Sequence, residues 1–184
     1  MINKTTVVLI IVSVIILGVY LINFTFKEDA QEIEEIVHSL NHPMIQVAHI
    51  EYLDKDKAIV FFERGPTDDR FFVTGVFRKG FWGWEHLGGQ ASPINMDHKL
   101  DLSFSGFSTN FSGYPEVVSG KIIDSEIDEV RVVTRAGNES EATIIEYDKN
   151  EKCWFLIGSN EEELLELTVT GLSSDGEVIE RVTR

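Results

Sequence analysis

Leu165–Gly171 reads LELTVTG, and the fold of the C-terminal half turns on it. With a period of two, Leu165, Leu167 and Val169 share one face while Glu166, Thr168 and Thr170 share the other. The competing period is helical, because Glu161–Leu167 (EEELLEL) is rich in helix formers. Thr168-Val169-Thr170, the following Gly171 and the Asp175-Gly176 turn favour a half-buried strand.

Working outward, the same alternation recurs about every ten residues. Val117–Ile123, Asp128–Thr134, Glu141–Tyr147, Lys152–Ile157, Leu165–Gly171 and Glu177–Val182 each read as a strand. They are separated by turn chemistry such as Ala136-Gly137-Asn138, Asp148-Lys149-Asn150 and Ser174-Asp175-Gly176. Six short alternating strands predict two antiparallel sheets packed face to face, with one or two further strands drawn from the preceding loop.

Gly120-Lys121-Ile122-Ile123-Asp124, Ile127, Val130, Val132, Gly137, Ala142, Trp154-Phe155 and Asp175-Gly176-Glu177-Val178-Ile179 carry a resemblance. The pattern resembles the small immunoglobulin- or fibronectin-III-like modules of bacterial surface proteins. The resemblance implies an extracytoplasmic β-module used for spacing or contact, with no catalytic residues to transfer. The Cys–Trp–Cys arrangement of true immunoglobulin domains is missing, since Cys153 stands alone beside Trp154.

Upstream, residues 88–113 interleave Ser, Gly and Phe without a sustained period, and Phe104, Phe107 and Phe111 predict packing rather than a free linker. Asp97, His98 and Asp101 make a metal site on paper, but three polar residues in a turn are far more often just a turn. Ahead of this stretch the alternation predicts a four-strand meander: Ala48–Tyr52, Ala58–Glu63 (apolar on both faces, so central), Arg70–Phe77 and Phe81–Leu87. Phe81, Trp82 and Trp84 crowd one short segment; they are a candidate contact surface, although packing against a helix or a bilayer-proximal rim explains them equally well. Glu28–Leu40 has apolar positions at spacings of three and four and acids in its first turns, which predicts an amphipathic helix ended by Asn41-His42-Pro43. His38 and His42 have the spacing of paired metal ligands but lack any supporting motif.

The helix is preceded by Val7–Ile22 (VVLIIVSVIILGVYLI), sixteen residues without a charge. At 1.5 Å per residue they cover about 24 Å as a helix, and flanking residues extend this to a bilayer core. No small-residue cleavage site follows Ile22, so the run reads as an uncleaved signal-anchor rather than a signal peptide cut near Ala30. The expected fold class is therefore a single N-terminal transmembrane helix (1–27), an α+β unit of one helix plus an antiparallel meander with an irregular end (28–113), and a β-sandwich-like module (114–184). The expected location is the cell membrane, single-pass, with the domain outside the cytoplasm.

Beyond residue 27 stand 14 Lys and Arg against 31 Asp and Glu, a net charge of −17. Phosphate backbones repel such a surface, so nucleic acid is not an expected partner. No nucleophile elbow, phosphate-cradling loop, dinucleotide fingerprint or zinc spacing is present, and Cys153 sits in an apolar strand that keeps a thiol inert. These features point to a non-enzymatic, membrane-tethered interaction or spacer protein without a cofactor. Its expected partners are the lipid bilayer, through Val7–Ile22, and another envelope protein. The alternative is a calcium-binding surface module using Asp124, Glu126, Asp128 and Glu129, although an acidic run alone does not supply a shaped loop of six to eight oxygens.

Overall fold

The computed structural model describes residues 29–40, 46–66, 69–158, 164 and 166–184. The described part of the chain starts with helix α1 (Asp29–Ser39), whose buried positions Ile33 and Val37 are four apart and so lie on one face. An antiparallel meander follows, built from β1 (Gln46–Tyr52), β2 (Lys57–Arg64), β3 (Phe71–Gly80) and β4 (Gly83–Pro93) in the order β1-β2-β3-β4.

The next eight strands form two further antiparallel sheets. A central sheet has the order β5-β6-β10-β9, from Ser103–Ser105, Glu116–Ile122, Glu151–Gly158 and Thr143–Tyr147. A distal sheet has the order β12-β11-β7-β8, from Val178–Thr183, Leu167–Leu172, Glu129–Thr134 and Glu139–Glu141. These two orders match the A-B-E-D and G-F-C-C′ sequences of strands in immunoglobulin-type sandwiches. Strand order is a property of topology and carries no function with it.

Strand periodicity stacks these elements in layers. In β2, Ala58, Val60 and Phe62 point to α1 and meet Ile33, Val37, Val73, Phe77 and Trp84. Ile59 and Phe61 point the other way, into a second core with Val117, Cys153 and Phe155 of the central sheet. The opposite face of that sheet presents Val118, Ile122 and Trp154 to Val130, Val132, Leu167 and Val169 of the distal sheet. The order of layers is helix, meander, central sheet, distal sheet. Every residue of β6 is buried, because its sheet is covered on both sides.

The expected fold class is corrected. The described residues are mainly β, with three antiparallel sheets and one short α-helix. Among the described residues no helix is long and apolar enough to cross a membrane, and Val7–Ile22 lies outside them. An eleven-residue helix about 16 Å long covers only one face of a four-stranded sheet. The second apolar face of β2 is covered by the central sheet, so helix and meander close one core and leave the meander's other face to be buried by a separate sheet.

Two local readings also change. The strand read over Glu141–Tyr147 is β9 of the central sheet and starts at Thr143, while Glu141 ends a short strand that the reading lacked, β8 of the distal sheet. The chain changes sheet at buried Ala142, whose N–H donates to Val130 O at 2.8 Å. The irregular stretch 88–113 supplies the end of β4 and all of β5.

Candidate functional site at an aromatic hairpin tip

The β3–β4 hairpin is closed by the pair Gly80↔Gly83, which leaves Phe81 and Trp82 as a two-residue turn. Gly83 adopts φ +118°, a conformation that L side chains resist, and a Cβ there would collide with the Glu32 carboxylate of α1. The turn lifts both aromatics clear of the body: Phe81 is 89% exposed and Trp82 84%. Their rings touch edge to face, with centroids 4.9 Å apart.

Trp84, two residues on, faces the opposite way. It is buried against α1, and its ring meets Tyr52 at 6.0 Å. Its backbone N–H donates to Glu32 Oε1 at 3.1 Å, and Lys79 donates to Asp29 Oδ1. That bond from Lys79 holds the Asp29 carboxyl below the usual carboxylate range. The structure therefore divides the aromatic trio: Trp84 belongs to the core, and Phe81 and Trp82 form a contact surface beside the start of α1.

The four acidic candidates do not converge. Asp124 pairs with Lys99 at 2.9 Å and accepts the Glu126 N–H, and the latter bond leads in holding its carboxyl low. Asp128 pairs with Lys152 at 3.0 Å, and Glu129 with Arg131. Lys152 also donates to the carbonyls of Ser125 and Ile127, so protein cations occupy the loop. Among the described residues no three His, Cys, Asp or Glu side chains are grouped to hold a metal.

His98 bonds to Glu180 at 3.1 Å rather than to Asp97 or Asp101. The Asp101 carboxyl accepts the Asn95 N–H, and burial pushes it up to about 6. His38 lies in the last turn of α1, and His42 lies outside the described residues.

One cluster joins residues that lie far apart in the sequence. Glu63 of β2, Arg70 ahead of β3, Lys121 of β6, Tyr147 of β9 and Glu151 of β10 meet between the meander and the central sheet. Lys121 Nζ donates to Glu63 Oε1 at 2.9 Å and to the Tyr147 hydroxyl, and it also pairs with Glu151. Arg70 and the Tyr147 hydroxyl both donate to the Glu63 carboxylate. Burial works to raise the Glu63 carboxyl, but the bonds from Tyr147, Lys121 and Arg70 outweigh it and it titrates low. Burial pushes the Tyr147 phenol well above its ordinary value.

A cleft of about 180 Å³ opens beside this cluster, lined in part by Arg70, Met96, Lys121, Lys149 and Glu151. Each charge in the cluster already faces an opposite one, which suits it to tying two sheets together. Neighbouring Cys153 is buried, and its thiol is pushed up to about 12, chiefly by burial. The usable hint in the sequence was a charge inside a strand otherwise apolar on both faces, Glu63 in AIVFFE and Lys121 in GKII.

No protein-family model matches the chain, and no curated protein or solved structure matches it either.

Proposed function

We propose that this chain is a non-enzymatic interaction or spacer protein that acts outside the cytoplasm and contacts another envelope component through Phe81 and Trp82. The observation that carries the reading is the hairpin turn itself. A folded body with three packed cores leaves two large aromatic side chains almost wholly in water, at a position set by flanking glycines. Exposed aromatics that a rigid scaffold holds out together are typical of contact residues. The location in this reading, and association with a lipid bilayer, rest on the uncharged run Val7–Ile22 and on the −17 net charge that follows it.

The test is chemical cross-linking in intact cells that produce either the full chain or its F81S/W82S variant. The reading expects adducts with envelope material that the double variant loses. An identical adduct pattern in both would overturn it.

A further inference from the structure

The envelope component that the tip meets is a lipid surface: we infer that Phe81 and Trp82 seat in the interfacial zone of the bilayer with which Val7–Ile22 associates. This deepens the proposed function and rests on that association.

Position is the first argument. The tip is bound to the start of the described chain, through Lys79 to Asp29 and through the Trp84 N–H to Glu32. Only six residues, 23–28, separate Ile22 from Asp29. At full extension the seven steps from Ile22 to Asp29 reach no more than about 25 Å. Whatever surface holds the apolar run is thus near the end of the body from which Phe81 and Trp82 project. Proximity of this kind supplies a high effective concentration, so two side chains suffice where free binding would need many.

Chemistry is the second argument. Gly80-Phe81-Trp82-Gly83 carries no charge, and its one polar side-chain group is the indole N–H. An apolar ring with a single donor suits the boundary between acyl chains and headgroups, where tryptophan is enriched. A two-residue turn is too small to build a standard protein interface, which takes about 20–30 residues a side. The cations behind the turn are half-exposed and already matched, Arg78 by Glu85 and Lys79 by Asp29. With −17 beyond residue 27, the body is repelled by anionic lipid, so the fitting surface is zwitterionic.

The test uses the full chain in phosphatidylcholine vesicles, with and without lipid brominated near the top of the acyl chains. The chain has three tryptophans, and Trp84 and Trp154 are buried, so contact with lipid falls to Trp82 alone. The expected result is that the chain floats with the vesicles, that brominated lipid quenches part of its emission, and that W82F floats equally but shows no quenching. Flotation without quenching, or equal quenching in W82F, would overturn the lipid contact and leave the membrane association standing. Emission shielded from acrylamide but untouched by brominated lipid would assign the tip to a protein surface, which also overturns the proposal. Failure to float would remove the association on which it rests. Because the side chain is exposed, W82F should keep the wild-type melting curve, which separates loss of contact from loss of fold.

Discussion

Lys121 Nζ lies 2.9 Å from Glu63 Oε1, with both side chains 4% exposed, and this contact joins the central sheet to the meander. A buried pair of this kind contributes little net stability when intact, yet leaves an uncompensated charge when one partner is removed. Glu63 keeps its bonds from Arg70 and the Tyr147 hydroxyl, so K121M should destabilise the protein by less than the roughly 3–5 kcal/mol of a fully orphaned buried charge. Adding E63L to K121M should cost less than E63L costs alone, because the Glu63–Lys121 contact is already gone while the bonds from Arg70 and Tyr147 are lost in both cases. Urea melts of the two single variants and the double variant complete the cycle; additive losses would show that the two groups are not coupled.

Two carboxyls set opposite pH trends. Asp101 has a folded pKa near 6, above its ordinary 3.8, so its ionisation opposes folding. That cost is absent below about pH 3.8, grows as pH rises toward 6 and is constant above. Asn retains an oxygen to accept the Asn95 N–H, so D101N should be more stable than wild type at pH 7, with the gap closing below pH 4. Glu63 has a lowered pKa, so its contribution is present above the ordinary 4.5 and is lost as pH falls below it. Melting temperatures from pH 3 to 8 for both chains check the sign, and a gap that widens in acid would contradict it.

Leu167 and Thr168 are neighbours in β11 with opposite surroundings. Leu167 is 2% exposed within the core shared with Trp154 and Val169, while Thr168 is only half-buried and shares a hydroxyl contact with Thr183. L167A should cost about 2–5 kcal/mol. T168A should stay within about 1 kcal/mol. Comparable losses in denaturant melts would mean that β11 does not alternate as described.

Cys153 should resist a bulky maleimide in the native protein and react fully in denaturant, because it is wholly buried with a raised pKa. Rapid labelling of the folded chain, followed by mass spectrometry, would contradict that placement.

The strands were legible because period two survives in single segments: β2, β6, β7, β10 and β11 lie within a residue or two of where alternation puts them. Stacking was not legible. Ala58–Glu63 showed that β2 needs cover on both faces, but nothing in AIVFFE says whether a helix or a sheet supplies it. The switch at Ala142 was hidden for a similar reason, since a small buried residue inside an alternating run does not announce a change of sheet. Of the site, the aromatic crowding was visible, but dividing Trp84 from Phe81 and Trp82 required the hairpin register. The ionic cluster joins residues up to 88 positions apart, so no local spacing could have revealed it.

Contact at the β3–β4 tip, rather than elsewhere on the surface, can be measured directly. A photoactivatable residue at position 82 of the full chain, illuminated in intact cells, tests this against the same residue at position 178, where exposed Val178 stands on the distal sheet. The account predicts several-fold more lipid or protein adduct at 82 than at 178. Equal yields, or a larger yield at 178, would contradict it.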